Sequence, residues 1–166
     1  RGDEQAQDRP ADLALMPGAD PACFFCQAVA DTQDRRRHVV ARSGHSICLL
    51  NRYPYTNGHL LVAPQRHWAR LDELGTDELL DLSQMLVRMV RVLEQALHAE
   101  GFNIGLNLGR VAGAGLPGHL HWHVVPRWLG DTNYMPVLAS VNVIPQSLDA
   151  VWDLLSTSVS PETDLQ

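Results

Sequence analysis

The chain has 166 residues, of which 45% are hydrophobic and 19% charged, and its formal net charge is −6. This length suits one domain with an ordinary apolar core, and the acidic balance disfavours long DNA or RNA as a partner. No apolar run reaches the roughly 18–20 residues of a membrane helix, and the N-terminus lacks an apolar signal segment. We therefore expect a cytoplasmic protein that binds no membrane. The chain contains no lysine, which excludes a lysine Schiff base or a P-loop, and its three cysteines argue against a disulfide framework.

The two ends of the chain differ from its middle. Residues 1–19 are polar, contain two prolines and show no sustained hydrophobic period, which predicts a flexible arm, and 158–166 are predicted to be a frayed tail. The stretch 20–157 shows no repeat and no linker, so we predict one domain there. Its hydrophobic patterns predict strands at 38–41, 45–50, 58–63, 102–109 and 119–126, a long helix at 76–100 and a short helix at 147–155.

The predicted helices have recognisable ends. Apolar residues recur every three or four positions through the long helix, with Thr76 as the expected N-cap and Gly101 as the expected stop. Ser147 is the expected cap of the C-terminal helix. Strands in runs with one long helix between them are typical of an α+β domain with a mostly antiparallel sheet.

Two smaller features carry expectations of their own. The run Arg35-Arg36-Arg37 is predicted to lie in a solvated loop, and His59 is expected to order the sheet without reacting. Cys48, in the middle of a predicted strand, is expected to be a small buried core residue.

Three histidines alternate with apolar residues in the segment GHLHWHVVP, residues 118–126. Because side chains alternate faces on a strand, His119, His121 and His123 should share one side, roughly 6.6–6.8 Å apart. Three imidazoles at this pitch could hold a metal ion, or they could surround one phosphorus atom with a different role for each. A polar or metal-binding strand without catalysis is the alternative that the spacing leaves open.

Two motifs precede the histidine segment. Cys23 and Cys26 have the spacing at which two thiolates reach one tetrahedral metal ion, although such a pair is also compatible with a redox-active, structural or accidental role. The glycine-rich stretch 113–118 would let backbone N–H groups approach phosphate oxygens closely. Taken alone, that stretch is more typical of an ordinary turn, and its place just before the histidine segment favours the phosphate-binding role.

The histidine segment resembles the motif of the histidine triad (HIT) family. The resemblance extends from Cys23 to Trp128 and includes LNRxP at 50–54, GHxxVxP at 58–64, NxG at 107–109 and AG at 112–113. The extension PRWxGDTNYMP at 126–136 is similar to a prokaryotic branch that acts as diadenosine tetraphosphate phosphorylases, while relatives hydrolyse dinucleoside polyphosphates. The resemblance implies the HIT fold, an α+β domain with a mostly antiparallel five-stranded sheet.

The resemblance also implies roles for individual residues. His121 would attack the α-phosphorus and form a covalent nucleotidyl-histidine, and His123 would hydrogen-bond the leaving or bridging oxygen. A backbone carbonyl would hold the other nitrogen of His121. The residues implied in nucleotide binding are Asn51, Asn107, Gly113, Ala114, Gly115 and Trp128.

Three of those residues leave questions open. The common family form has Gln and a hydroxyl residue where this chain has Ala114 and Gly115, so a side-chain hydroxyl contact to phosphate is lost. This departure leaves both the leaving-group preference and the final acceptor undecided. Trp128 either walls the pocket or packs against a partner subunit.

Arg110 and Arg127 either supply charge to a polyphosphate or are ordinary surface arginines.

The resemblance further implies a metal site and an assembly. In zinc-bearing members, His67 and His119 would join Cys23 and Cys26 in a closed Cys₂His₂ structural zinc site. Members commonly form homodimers, and the branch resembled forms larger homo-oligomers.

The expected activity is nucleotidyl transfer on a small-molecule nucleotide substrate. We favour phosphorolysis of diadenosine tetraphosphate to ADP and ATP, with inorganic phosphate as the acceptor. The alternative is hydrolysis of dinucleoside polyphosphates or other nucleoside phosphate derivatives. A remoter alternative is a zinc-stabilised nucleotide-binding module without significant turnover.

Overall fold

Five strands form one antiparallel sheet at the centre of the domain, in a computed structural model that describes residues 13–132 and 144–159. The strands are β1 (Val39–Arg42), β2 (Ser46–Leu50), β3 (Leu60–Pro64), β4 (Gly101–Leu106) and β5 (Trp122–Arg127). Their order is β1-β2-β3-β5-β4, and each strand is antiparallel to its neighbours. This architecture confirms the predicted α+β class and the five-stranded sheet.

Within residues 13–132 and 144–159, four helices accompany the sheet. They are α1 (Phe24–Ala30), α2 (Asp34–Arg37), α3 (Thr76–Leu97) and α4 (Leu148–Ser158). Short 3₁₀ turns occupy Leu71–Glu73 and Arg110–Ala112. The sequence patterns predicted α3 and α4, whereas α1 and α2 are too short for a helical period to stand out. None of the described helices is long and apolar enough to cross a membrane.

The central strand β3 is apolar throughout because both of its faces are covered. Leu60 and Val62 point to the side where α3 and α4 pack, in the larger core cluster. Leu61 and Ala63 point to the opposite side, in a cluster with residues of α1. Alternate residues of one strand thus enter two separate cores. We call the face that carries Leu60 and Val62 the α3 face, and the face that carries Leu61 and Ala63 the α1 face.

The two longer helices begin as the chemistry of helix N-termini requires, although one cap differs from the prediction. Thr76 is the first residue of α3 and not its cap, since Gly75 takes that position and its N–H donates to Glu78 Oε2 at 2.9 Å. The Glu78 carboxylate thereby accepts from the N–H of the cap residue itself, as the third helical residue does in a capping box. Ser147 caps α4 as predicted, its Oγ accepting from the N–H of Ala150 at 3.3 Å.

Helix α3 ends earlier than predicted. It stops at Leu97, and His98 follows in the left-handed conformation with φ of 52°. The indole N–H of Trp128 donates to the carbonyls of Leu97 and His98, at 3.2 and 3.0 Å, and so satisfies acceptors that the helix end leaves open. Gly101 is therefore the first residue of β4 and not the helix stop.

The arginine run is not the solvated loop that was predicted. Its three residues belong to α2, and Arg37 is buried. The Arg37 Nε donates to Asp31 Oδ2 at 2.9 Å, and its Nη1 donates to Gln27 Oε1 at 3.1 Å. Because removing one partner of a buried ion pair leaves the other charge uncompensated, this pair ties α2 firmly to the end of α1.

Part of each predicted terminal segment lies outside the described residues, namely 1–12 and 160–166. Within the described part, Leu15 and Ala19 pack against the α1-side core cluster. At the other end, α4 continues to Ser158, beyond the predicted helix end at 155.

Candidate active site and metal cluster

The three histidines of the GHLHWHVVP segment lie at the start of β5. The strand begins at Trp122, so His119 and His121 precede it and only His123 lies within it, paired with Leu61 and Gly105. Trp122 and Val124 pack in the α3-face core, as the alternation predicted. The rings of His121 and His123 lie 5.2 Å apart between centroids, so the two proposed catalytic imidazoles are neighbours.

A backbone carbonyl holds the ring of His121. Its Nδ1 lies 2.8 Å from the carbonyl oxygen of His119. Since a carbonyl can only accept, the Nδ1 must carry the proton, which leaves the Nε2 lone pair free. Burial lowers the pKa of His121, so the ring is neutral near pH 7. These two facts make the Nε2 of His121 an available nucleophile.

A second chain of hydrogen bonds fixes His123. The N–H of Tyr55 donates to His59 Nδ1 at 3.1 Å, so the His59 proton resides on Nε2. That Nε2 donates to His123 Nδ1 at 2.9 Å, which places the proton of a neutral His123 on its own Nε2. His123 therefore presents a donor, suited to an oxygen that gains negative charge, beside the lone pair that His121 presents.

His59 is the functional residue whose role the sequence did not reveal. It was expected to order the sheet without reacting, and the structure shows in addition that it is fully buried and hydrogen-bonded to His123. Burial, and to a lesser extent His123 and His121, lower the pKa of His59 to about 3, so it stays neutral and keeps its donor role. The register that sets Leu61 opposite His123 brings His59 close, and no local motif signals that register.

Four side chains converge on one point at the other end of the histidine segment, where Cys23, Cys26, His67 and His119 place one ligand atom each within 4.8 Å of the others. Cys23 Sγ lies 3.3 Å from His119 Nδ1, Cys26 Sγ lies 3.2 Å from His67 Nδ1, and the two Nδ1 atoms lie 3.2 Å apart. Tetrahedral zinc with bonds of about 2.0 and 2.3 Å would separate its ligands by roughly 3.3–3.8 Å. The donor set and spacing therefore fit a metal ion.

The protonation of the cluster also fits a metal ion. His119 Nε2 lies 2.9 Å from the carbonyl oxygen of Pro64, so that nitrogen carries the proton and Nδ1 turns a lone pair toward the cysteines. Burial raises the pKa of Cys23 to about 12, so a thiolate in this position needs a cation beside it. A metal ion held by these four residues would supply that charge.

One aromatic ring contacts both groups. Phe25, which lies between the two cysteines in sequence, is fully buried with its centroid 5.0 Å from the His119 ring and 5.3 Å from the His121 ring. The helix α1 that carries Phe25 and Cys26 therefore packs directly on the histidine segment.

Two backbone N–H groups of the glycine-rich loop bond to the turn that precedes it. The N–H groups of Gly113 and Ala114 donate to the carbonyls of Arg110 and Gly109, at 3.0 and 3.3 Å. Gly113 has φ of 87°, and a Cβ there would lie 3.9 Å from Asn107 Nδ2. The structure thus brings this loop beside Asn107, and contacts of Gly113, Ala114 and Gly115 with a nucleotide stay predictions.

Two of the predicted nucleotide-binding residues make contacts of their own. Asn51 Oδ1 accepts from the N–H of Tyr53 at 3.0 Å, and its Nδ2 lies 3.3 Å from His59 Nδ1. The indole of Trp128 bonds to the end of α3, as described above, and Trp128 does not line the cavity beside His123. Nucleotide contacts of Asn51 and Trp128 stay predictions.

A cavity of about 540 Å³ adjoins His123 on the α1 face of the sheet. Its lining comes from the loop before β3, from β4 and from β5. The lining residues are Tyr55, Thr56, Asn103, Ile104, Gly105, Asn107, His123, Val125, Arg127 and Thr132.

The site and fold described above define a class of protein. The HIT domain family model matches residues 32–128, and the chain belongs to the HIT family. The chain is 41% identical over 139 residues to the AP-4-A phosphorylase of Mycobacterium tuberculosis, covering 84% of this chain and 71% of that protein.

Two further similarities bear on the site. The chain is 38% identical over 93 residues to the asymmetrical bis(5′-nucleosyl)-tetraphosphatase of Schizosaccharomyces pombe, covering 56% of this chain and 50% of that one. A crystal structure of a Zn-bound histidine triad family protein from Mycobacterium smegmatis superimposes with a TM-score of 0.66 at 28% identity, covering 82% of this chain and 91% of that chain.

The buried His59 predicts a specific pH dependence of stability. Its folded pKa of about 3 lies below the ordinary 6.5, so the unfolded state binds more protons between these values. The stabilisation is therefore complete above pH 6.5 and is lost as the pH falls toward 3. Between pH 7 and pH 5 the wild type should lose about 2 kcal/mol of unfolding free energy through this residue.

We expect His59→Gln to lose about 2 kcal/mol less than the wild type over the same interval, measured by urea unfolding at each pH. His45→Gln, at an exposed histidine, is the matched control and should follow the wild type. Equal losses in the wild type and His59→Gln would show that His59 is not held neutral in the folded protein.

Proposed function

We propose that this chain is a nucleotidyltransferase that cleaves dinucleoside polyphosphates through a covalent AMP–His121 intermediate. The observation that carries the proposal is the pairing of a lone pair on His121 Nε2 with a donor on His123 Nε2, in rings 5.2 Å apart. A nucleophile beside an electrostatic donor is the pair that phosphoryl displacement requires. A module that only bound nucleotides would not need this pairing.

The proposed first step transfers the adenylyl group to the enzyme. His121 Nε2 forms a bond to the α-phosphorus of diadenosine tetraphosphate while the bond from that phosphorus to the bridging oxygen breaks. The bridging oxygen leaves on ATP and accepts a hydrogen bond from His123 Nε2. Throughout this step the proton stays on Nδ1 of His121 and is donated to the carbonyl of His119, which stabilises the positive charge that the ring gains.

The proposed second step regenerates the histidine. An oxygen of inorganic phosphate attacks the phosphorus, the P–N bond breaks, and ADP leaves. Similarity to the mycobacterial AP-4-A phosphorylase over most of both chains supports phosphate as the acceptor. Similarity to the fission-yeast tetraphosphatase supports the alternative in which water attacks and AMP is released. Ala114 and Gly115 carry no side-chain hydroxyl or amide, so neither side chain selects phosphate over water by a hydrogen bond.

The proposal includes a structural zinc ion held by the four residues of the metal cluster. The tetrahedral spacing of the donors supports zinc, as does the resemblance to a Zn-bound HIT structure. With two thiolates and two imidazoles the site is closed, so the ion would supply structural charge and no open position for water. It would join α1, which carries Cys26, to the end of β3 and to the first triad histidine.

The proposal also includes association into a homodimer or larger homo-oligomer. Strand β4 lies at an edge of the sheet, and Ile104 on that strand is 46% exposed. An edge strand with an exposed apolar side chain offers both backbone and side-chain groups to a second copy.

The activity is tested by incubating the protein with diadenosine tetraphosphate, with and without inorganic phosphate, and resolving the products. We expect ADP and ATP only when phosphate is present. If AMP and ATP form without phosphate, the activity is hydrolysis and not phosphorolysis. His121→Ala should reduce either activity by at least about 10³-fold and abolish the adenylylated protein seen by mass spectrometry.

His45→Ala, at an exposed histidine outside the site, serves as the control and should retain wild-type rates. Full activity in His121→Ala would show that another group is the nucleophile. No cleavage by the wild type under either condition would support the nucleotide-binding module without turnover.

The metal proposal is tested by elemental analysis of gently purified protein. We expect about one zinc per chain in the wild type and a loss of most of it in Cys23→Ser, together with lower thermal stability. Cys48→Ser is the matched control, because Cys48 is a buried thiol of the α3-face core and should affect stability without changing metal content. A well-folded wild-type protein that contains no metal would remove the zinc site from the account.

A further inference from the structure

The cavity beside His123 occupies a part of the sheet that α1 does not cover. In the described residues, the strand members of the α1-side core cluster come from β1, β2 and β3. Over β5 and β4 the same face carries the cavity instead. It therefore begins at the donor that His123 presents and extends away from the metal cluster.

The floor of the cavity is a shallow trough along two paired strands. His123 and Gly105 face each other at one end, and Val125 and Asn103 form the next pair, about 7 Å further along. A Cβ added to Gly105 would meet nothing within 4 Å, so this residue keeps the trough open beside His123. Space of this kind next to a catalytic group is available to a ligand.

The near end of the trough suits phosphate. Asn107 lines it, and its amide lies beside the glycine-rich loop. Together with the Nε2 proton of His123, the Asn107 amide supplies hydrogen-bond donors at this end. Phosphate oxygens accept from donors of this kind without needing a full countercharge.

The far end of the trough suits an uncharged group. Arg127 lines the cavity, but its guanidinium donates to both carboxylate oxygens of Asp131, at 2.5 and 2.9 Å, and to Asn103 Oδ1 at 2.8 Å. Those bonds lower the pKa of Asp131 to about 2, so the pair is charge-balanced. With its oxygen engaged, Asn103 has amide protons left for an acceptor such as a ring nitrogen.

The loop that carries the exposed ring of Tyr55 reaches this end of the trough, where Thr56 Oγ1 donates to the carbonyl of Pro126 at 2.9 Å. Tyr55 lies nearly parallel to His123, with 5.9 Å between centroids and 14° between planes, and is 56% exposed. Exposed aromatic rings that line nucleotide sites stack on bases. Tyr53 on the same loop is equally exposed, at 57%, and does not line the cavity.

We propose that this cavity, the leaving-nucleotide cavity, holds the nucleoside polyphosphate that departs when His121 is adenylylated, with its phosphates beside His123 and Asn107 and its base against Tyr55 and Asn103. The inference rests on the proposed function, since it assigns a place to the second half of that substrate. It makes the cavity a determinant of preference for dinucleotides over adenylyl compounds with small leaving groups.

The test compares two substrates that share the adenylyl group, diadenosine tetraphosphate and adenosine 5′-phosphoramidate, whose leaving group is ammonia. Gly105→Val fills the trough, and we expect the ratio of kcat/KM for the tetraphosphate to that for the phosphoramidate to fall at least about tenfold. Gly101→Val is the matched control, on the same strand with open space around its Cβ but outside the cavity, and should keep the ratio within about twofold.

A second pair of variants keeps the test decisive if Gly105→Val folds poorly. Tyr55→Ala should lower the same ratio about tenfold by removing a stacking surface, whereas Tyr53→Ala should leave it unchanged. If the wild type does not turn over the phosphoramidate, the KM for the tetraphosphate replaces the ratio as the measured quantity. We expect this KM to rise about tenfold in Tyr55→Ala and to stay unchanged in Tyr53→Ala.

Failure of the inference differs from failure of the proposed function. A wild type that cleaves the tetraphosphate, with variants that change neither ratio nor KM, overturns the leaving-nucleotide cavity and leaves the nucleotidyltransferase intact. A wild type that forms no adenylylated His121 with either substrate overturns the proposed function and the inference together.

Discussion

The 2.8 Å hydrogen bond from His121 Nδ1 to the carbonyl of His119 is the interaction on which the rest of the site depends. It fixes the proton on one nitrogen of His121 and so creates the lone pair on the other. The residue that supplies this carbonyl is itself a member of the metal cluster through its ring. The backbone of His119 therefore serves the catalytic pair, and its imidazole serves the cluster that joins α1 to the segment.

In the same way, backbone groups set the tautomers of the other histidine rings in the site. The carbonyl of Pro64 sets His119 so that a lone pair faces the cysteines, and the N–H of Tyr55 sets His59, which in turn sets His123. Each of these groups lies at the end of a strand or in the turn beside one. The antiparallel register of β3 and β5 is what brings them within hydrogen-bond distance. Burial lowers the pKa values of these rings and keeps them neutral, so the tautomers persist near pH 7.

Much of this arrangement could be predicted from the sequence because it rests on local patterns. Apolar runs bounded by turn residues or proline predicted the first three strands, and alternation predicted the last two. A period of three to four residues predicted α3, and a hydroxyl before the last helix predicted Ser147 as its cap. The metal cluster combined a Cys-x-x-Cys pair with a family resemblance, and the structure brings those four side chains together. These features depend on residues close in sequence or on a motif of known spacing.

The remaining features were not visible in these patterns, and two of them depend on contacts distant in sequence. His59 reaches His123 across 64 positions, and Trp128 caps the end of α3 from 30 positions away, so neither partner is visible locally. Arg37 was predicted to lie in a solvated loop because runs of charged residues are usually exposed. Instead it is buried, and the carboxylate of Asp31 neutralises its charge in an ion pair. Gly101 failed as a helix stop because His98 adopts the left-handed conformation first.

The tautomer of His121 tests the central claim most directly. Long-range ¹H–¹⁵N correlation spectra of the imidazoles near pH 7 distinguish a proton on Nδ1 from one on Nε2. The account predicts the Nδ1–H form for His121 and the Nε2–H form for His59 and His123. An Nε2–H form of His121 would leave no lone pair facing the phosphorus and would contradict the proposed nucleophile.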